Sequence, residues 1–325
     1  MKLGDILRQN REYNIVGHTR PDGDCVGSQL AIYTVLKNMG IKCNVVKNDE
    51  YDRAIADFFG TIEFVKVEDC DASLPLICVD CSDIRRIGTS LIEKYANSAP
   101  YLNVDHHFSN ENFANYNFVD CEAASTTQLI TETLLKENIA FDKKTAEFLY
   151  LGIMTDTANF ARANTTLRTI QAVEILMRKG ISTSEIHSKV YERDSVQKYR
   201  LLCRLSNNIE IFADGLCCIS HINDKDFEET GALATDSKEF VDYTRKIDGV
   251  VVGAFIEFHK NYTKCSLRAS TPTFRVDLFA KEFNGGGHQA AAGFTIEPVD
   301  DNFYENLKIS LAEHTKKFYK QTVCH

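Results

Sequence analysis

Short apolar runs recur through the first half of the chain, each closing on polar residues and most followed by a stretch with helical spacing. Residues 13–17 form such a run, residues 26–38 follow with apolar positions at the helical period and stop at Gly40, and residues 41–46 again read as a strand. Further runs at 74–79 and 101–104 are short and end in Asp or His. Strands that are apolar on both faces suit a parallel sheet covered by helices, since only there are both faces buried. The alternation therefore predicts an open α/β sheet.

From residue 122 the spacing turns helical, with 122–137, 143–152 and 166–179 as helices that would cover the sheet and Gly180 as a stop. Residues 184–205 are polar, rich in charge and free of Gly and Pro, which reads as a helical connector. Beyond it, 208–212 and 216–221 flank an Asp214-Gly215 turn as a hairpin, and 250–259 and 264–269 flank Lys260-Asn261 as two longer strands. A Gly-rich loop at 284–287 and a last helix near 301–317 complete the pattern. The predicted fold class is α/β: a mainly parallel sheet flanked by helices over 1–185, a helical linker over 186–205, and a smaller α/β domain with a mixed sheet over 206–325. A length of 325 residues fits that division, being more than one ordinary core holds.

Composition narrows the class without choosing a function. A hydrophobic fraction of 44% and a charged fraction of 26% are those of an ordinary globular protein. Residues 1–10 are polar and mixed in charge, and no apolar stretch approaches the roughly 18 residues that span a bilayer, so neither export nor membrane insertion is expected. Eleven cysteines, an odd number without a regular framework, fit reduced thiols and a cytoplasmic location. Cys78 and Cys81 have the spacing of a zinc or redox pair, but no second pair accompanies them and strand alternation would set them on opposite faces. A net charge of −9 argues against long nucleic acid, long duplex DNA included, because such affinity comes from many Lys and Arg neutralising phosphates. Short anionic ligands stay open, since bound divalent ions would offset part of the acidity.

Four clusters carry the candidate chemistry. His18, Asp22 and Asp24 lie within seven residues, directly after the first apolar run, where open α/β sheets bind ligands; Pro21 and Gly23 shape a turn between them. Taken alone, Asp24 serves equally well as the anion at the start of the following helix. Asp80 ends the run 76–79 and is followed by Asp83, Arg85 and Arg86; a single Asp in that position is commonly a turn former. Asp105, His106 and His107 are three titratable residues in a row at another strand end, which packing does not explain. Asp156 closes an apolar helical run, where a carboxylate without a partner would be costly. Four such clusters at strand or helix ends, converging on one crevice, point to divalent cations. His187, His221, His259 and His325 lack partners at ligand spacing and read as ordinary surface or strand residues.

His18-x-x-Pro21-Asp22-Gly23-Asp24, Asp80, Asp105-His106-His107 and Asp156 resemble, in order, the four motifs of the DHH phosphoesterase family. Gly285-Gly286-Gly287-His288-Gln289-Ala290-Ala291-Ala292-Gly293 is similar to the substrate-binding loop of the DHH-associated domain, and the motif set resembles the branch of oligoribonucleases and 3′-phosphoadenosine 5′-phosphate phosphatases.

The resemblance implies one metal on His18, Asp22 and Asp80 and a second on Asp24, Asp80, His106 and Asp156, with Asp80 as the bridge. Mn²⁺ suits the mixed nitrogen and oxygen donors, with Mg²⁺ or Co²⁺ as substitutes. Asp80 and His107 would be the catalytic pair, His107 facing the phosphate, and Asp105 would orient an imidazole. Arg86, Asn110, Arg268, Gly285, Gly286, Gly287 and His288 would bind substrate, although Ala269 stands beside Arg268 where a Ser is common in the family. The implied activity is hydrolysis of short RNA oligonucleotides, from dinucleotides upward, to mononucleotides, together with dephosphorylation of 3′-phosphoadenosine 5′-phosphate to AMP. Alternatives are a phosphodiesterase for linear dinucleotides, a manganese-dependent inorganic pyrophosphatase and a non-catalytic nucleotide sensor. The direction of attack and a homodimer stay open.

Overall fold

Six strands, β1 (Glu12–Val16), β2 (Lys42–Lys47), β3 (Phe64–Lys66), β4 (Leu76–Val79), β5 (Leu102–Asp105) and β6 (Tyr116–Val119), form one sheet in the order β3-β2-β1-β4-β5-β6 in the computed structural model. Every neighbouring pair in it runs parallel. The structure describes residues 2–10, 12–96, 100–297 and 302–323, which divide into two compact units, 1–193 and 194–325. Around the sheet the first unit carries α1 (Leu3–Leu7), α2 (Gly23–Asn38), α3 (Arg53–Ala56), α4 (Thr89–Lys94), α5 (Thr126–Lys136), α6 (Lys143–Asp156), α7 (Leu167–Arg178) and α8 (Thr183–Tyr191).

The central strands are buried on both faces, which is why they read as nearly continuous apolar runs. Tyr13, Ile15, Ile77, Val79, Leu102 and Val104 join one core with residues of α1, α2, α5 and α6. Val16, Val46, Leu76 and Cys78 join a second with Leu91 and Tyr95. Strand order reverses between β1 and β4, so the chain leaves those two strands in opposite directions and opens a crevice at their carboxyl ends. Glycines let helices close over that crevice: a Cβ on Gly27 of α2 would sit 2.4 Å from the Phe148 carbonyl oxygen of α6.

In the second unit, β7 (Glu210–Phe212), β8 (Cys217–Asn223), β9 (Val252–Phe258), β10 (Thr263–Ala269), β11 (Gly286–His288) and β12 (Ala291–Ile296) form a mixed sheet in the order β11-β12-β10-β9-β8-β7. Only β8 and β9 pair in parallel. Its helices are α9 (Val196–Asn207), α10 (Asp224–Thr230), α11 (Phe240–Arg245), α12 (Val276–Glu282) and α13 (Phe303–Val323). Phe279, Leu307 and Leu311 cover one sheet face, and Leu201, Leu205 and Phe240 pack against Ile222 and Phe255 on the other. The predicted hairpin turn holds, with Ala213, Asp214 and Gly215 all at positive φ (53°, 60° and 87°) between β7 and β8.

Several boundaries differ from expectation. The segment expected as one connector, 186–205, is two helices: α8 lies in the first unit and α9 in the second. Residues 284–287 were expected as a loop, but Gly286 already pairs with Gly293, so the glycines enter a short edge strand. The start of the chain, although mixed in charge, buries Leu3, Ile6 and Leu7 in the core. Cys78 and Cys81 share one core cluster rather than opposite faces, because Asp80 between them has a φ of 58° and ends the strand alternation. Asp301, at the expected start of the last helix, and His325 lie outside the described residues. The described cysteines are all free, and no helix among the described residues is long and apolar enough to cross a membrane.

Candidate metal centre

The chain leaves β1 through Gly17, where a Cβ would lie 2.1 Å from the Cys25 sulfur, and delivers His18 into the crevice with 4% of its surface exposed. Its Nδ1 stands 2.8 Å from the Thr19 carbonyl oxygen, which can only accept, so Nδ1 carries a hydrogen and donates. Nε2 is thereby aimed at carboxylates, 3.4 Å from Asp80 Oδ2 and 3.8 Å from Asp22 Oδ1. Asp22 caps α2: its Oδ1 accepts from the backbone N–H groups of Asp24 and Cys25. Asp24, in the first turn, reaches instead to the start of α5, accepting from Thr126 N at 2.7 Å, Thr127 N at 3.0 Å and Thr127 Oγ1 at 2.7 Å. Both readings of this motif thus coexist, with the capping role falling to Asp22.

Asp80 follows β4 in a left-handed conformation, its N–H donating to the Val104 carbonyl at 2.9 Å. Its two oxygens face different imidazoles. Oδ2 faces His18, whereas Oδ1 lies 3.7 Å from His106 Nε2 and 3.6 Å from His107 Nδ1, and accepts from the Thr126 hydroxyl. His106 repeats the arrangement of His18: Nδ1 donates to the Ala123 carbonyl at 3.2 Å, leaving Nε2 3.5 Å from Asp156 Oδ2 and 3.9 Å from Asp24 Oδ2.

Such a concentration of carboxylates is electrostatically strained. Burial, reinforced by the charges of Asp80 and Asp156, pushes the Asp24 carboxyl well above the usual range. Burial likewise raises Asp156 to about 6, His106 partly offsetting it. Burial also opposes ionisation of Asp80, yet the hydrogen bond and charge of His18 hold it down at about 2. A cation relieves this repulsion, and the donors fit one. Donor atoms of His18, Cys25 and Asp80, of Asp80, His106 and His107, and of Asp24, His106 and Asp156 form three groups, each with every pair within 4.8 Å. Ligands about 2.1 Å from a shared ion stand roughly 3 to 3.5 Å apart, close to the separations found here and longer than most hydrogen bonds. Asp22 falls outside those groups and is exposed, standing beside His18 at the rim.

His107 is differently placed. Its Nδ1 is 2.7 Å from Asp105 Oδ1, and that hydrogen bond above all raises its pKa to about 9. Asp105 is fully buried and accepts on its other oxygen from Asn110 Nδ2 at 2.6 Å. Asn110 gives its second amide hydrogen to the Cys81 carbonyl, so it orders this loop and orients Asp105, which in turn orients His107. Arg86 is tied to the first motif through its backbone, its carbonyl accepting from Thr19 N at 2.7 Å.

The sequence reading missed four contributors. Thr126 and Thr127 hold Asp24 and Asp80; the signal was the Ser125 cap of α5, whose hydroxyl accepts from Gln128 N. Cys25 was unremarked although it follows Asp24 in the same helical turn. Arg162 donates to the Asp156 carbonyl oxygen at 3.0 Å and lies 3.8 Å from its carboxylate, at the end of a turn in which Ala158, Asn159 and Phe160 all have positive φ. No sequence pattern announces three consecutive left-handed residues without glycine.

In the second unit the ladder sets His288, Ala291, Arg268 and Gly253 in one cross-strand row, so Arg268 and His288 share a sheet face. Arg268 Nη1 donates to the Leu267 carbonyl, and its Nε lies 3.8 Å from Asp242. Two glycines are sterically required: a Cβ would lie 2.4 Å from the Gly293 oxygen at Gly285 and 2.5 Å from the Ala291 oxygen at Gly287, which also has a φ of 143°. Gly286 faces open space.

Comparison with known proteins identifies the domains. The chain matches the DHH family, N-terminal domain, over residues 12–153 and the DHHA1 domain over residues 218–313. It is similar to the bifunctional oligoribonuclease and PAP phosphatase NrnA of Thermus thermophilus, at 27% identity over 311 residues, covering 92% of this chain and 89% of that protein. The protein of that name from Bacillus subtilis is 25% identical over 302 residues, covering 91% and 94%. The crystal structure of an exopolyphosphatase-related protein from Bacteroides fragilis shares the fold, with a TM-score of 0.86 at 23% identity over 97% of this chain and 96% of that one. With both domains in this order, and acidic and imidazole side chains brought together at the switch point of its first sheet, the chain carries the DHH and DHHA1 domains of a DHH-family metal-dependent phosphoesterase.

Proposed function

We propose that this enzyme hydrolyses short oligoribonucleotides, dinucleotides included, to mononucleotides, and removes the 3′-phosphate of 3′-phosphoadenosine 5′-phosphate. The observation that carries the reading is Asp80: a buried carboxylate whose two oxygens face two imidazoles, each fixed by a backbone carbonyl so that Nε2 is the free donor. The substrate class is supported by relatives of that description that align along about nine-tenths of both chains.

In this reading His18, Asp22 and Asp80 hold one divalent ion, and Asp24, Asp80, His106 and Asp156 hold the other. Bound there, the ions supply Lewis acidity toward the phosphoryl oxygens and lower the pKa of water. Mn²⁺ is the expected occupant, because imidazole and carboxylate donors are mixed and thiolate donors are few. The protein's own groups do the rest. Asp105 holds His107 with a hydrogen on Nδ1, so its imidazole can donate from Nε2 to a phosphate oxygen or to the departing ester oxygen. Arg86 adds charge at the rim. Arg268, His288 and the backbone around Gly285, Gly286 and Gly287 are the substrate-binding groups of the second unit, the glycines permitting close approach of a phosphate or sugar.

Purified enzyme with Mn²⁺ should hydrolyse a two-nucleotide RNA with a higher kcat/KM than a single strand of about 24 nucleotides and than inorganic pyrophosphate. It should also release phosphate from 3′-phosphoadenosine 5′-phosphate. Preference for the long strand or for pyrophosphate would overturn the assignment, and nucleotide binding without turnover would make the protein a sensor.

A further inference from the structure

Among the large hydrophobic side chains described, Phe108 is the most exposed, at 93%. It follows His107 directly and sits at the tip of a turn closed by the Asn110 N–H donating to the His107 carbonyl at 3.1 Å. The turn is anchored. Asn110 donates to Cys81 O and Asp105 Oδ2, accepts from Asn112 N at 2.7 Å, and the neighbouring Glu111 N–H donates to Ser82 O at 2.8 Å. A ring left almost wholly in water contributes nothing to the core, so folding gives no reason for an aromatic residue at this point.

We propose that Phe108 is a stacking platform for a nucleobase: it receives the base of a nucleoside adjoining the phosphate at the metal centre, and so favours nucleotides over base-free phosphate esters. The inference rests on the function proposed above and names the part of the substrate this rim recognises. One residue, His107, separates Phe108 from His106, a backbone span of at most about 7 Å, comparable to the reach from a phosphate to the base of its own nucleotide. The face of a phenyl ring accepts any base and carries no hydrogen-bonding edge, so the platform is indifferent to base identity. A protein partner fits the surroundings poorly, because the exposed residues beside the ring, Ser109, Glu111 and Asn112, are polar and a lone ring is far smaller than a stable interface. His107 and Phe108 then divide the work, the imidazole meeting phosphate and the ring meeting base.

The test is a cycle between ring and base in the full chain loaded with Mn²⁺. The substrates are the dinucleotide pApA and two analogues, each with one adenine replaced by hydrogen on the ribose. For the parent enzyme, loss of one particular adenine should raise KM about tenfold. Phe108→Ala should raise KM for pApA by a similar factor, and the two losses should not multiply: the variant should distinguish pApA from that analogue by less than about twofold. Phe108→Trp should restore the discrimination, whereas Phe108→Leu, apolar but without a ring face, should not. The exposure of the residue predicts thermal melts coincident with the parent for each variant. Discrimination unchanged in Phe108→Ala, or restored by Leu as well as by Trp, overturns the platform. Failure of the parent enzyme to hydrolyse pApA overturns the functional reading itself and is seen before any variant is made.

Discussion

Asp80 can be replaced more cleanly than its position implies. Its φ of 58° would strain most side chains, but Asn tolerates the left-handed region, so Asp80→Asn keeps shape and backbone while removing the charge that faces both His18 and His106. Turnover should fall by more than about a hundredfold on every substrate, beyond what loss of an outer-shell partner costs, and calorimetric titration should show weakened Mn²⁺ binding. Unaltered metal affinity with lost activity would mean that Asp80 is no ligand. At this scale the sequence was legible wherever a motif concentrated charge: His18, Asp24, Asp80, His106 and Asp156, at strand or helix ends, come close together. It was illegible where a residue acts through the backbone or from a distant element. Thr126 and Thr127 read as ordinary helix-start residues until α5 is seen abutting Asp24.

Elements position these side chains through close packing, and Gly152 on α6 packs directly against the site. A Cβ there would lie 2.3 Å from Thr127 Oγ1 and 2.5 Å from Asp24 Oδ1, between two atoms that share a 2.7 Å hydrogen bond. Two effects oppose each other in Gly152→Ala: alanine favours the helix by about 1 kcal/mol, whereas overpacking a tight core costs about 1 to 3 kcal/mol. Because the clash falls on a fully buried carboxylate rather than on a flexible tip, the steric effect should win. Urea unfolding should show a net loss of about 1 kcal/mol, and Mn²⁺ should bind more weakly because Asp24 is displaced. A stability equal to or above the parent's, with unchanged metal binding, would show that the helices can part without disturbing the centre. The central strands were legible because burial on both faces writes a continuous apolar run. The strands overlooked, β3 and β6, are the two edges of the sheet; their residues are only half-buried or exposed, so no such run marks them.

On the scale of the whole chain, acidity acts differently in the two units. The first concentrates buried carboxylates, whose mutual repulsion a bound cation would relieve; the second buries imidazoles in apolar surroundings that favour the neutral form. Burial lowers the pKa of both His221 and His314 below the ordinary 6.5. His221 Nδ1 and His314 Nε2 have no hydrogen-bond partner among the described residues, and both rings pack edge-on against aromatics, His221 on Phe258 and Tyr304, His314 on Phe279. The unfolded chain therefore binds more protons at these positions than the folded one below pH 6.5, and stability must rise with pH across that window. Their effect is absent above about 6.5 and grows as pH falls toward the depressed folded values. Carboxylates of the same unit held below their usual range, Glu210, Asp224 and Asp277, act in the same sense but in a more acidic window, below about 4.5. Between pH 7 and 5 the imidazoles should thus dominate the unit's acid sensitivity, and Tm should fall as the pH falls. Replacing both with phenylalanine keeps the aromatic packing and removes the titration. The difference in Tm between parent and the His221→Phe, His314→Phe double variant, measured on the full chain so that contributions of the first unit cancel, should widen in the variant's favour as pH falls through 6.5. A difference constant from pH 7 to 5 would mean that both imidazoles take up protons in the folded state as easily as in water, and that their burial carries no electrostatic penalty.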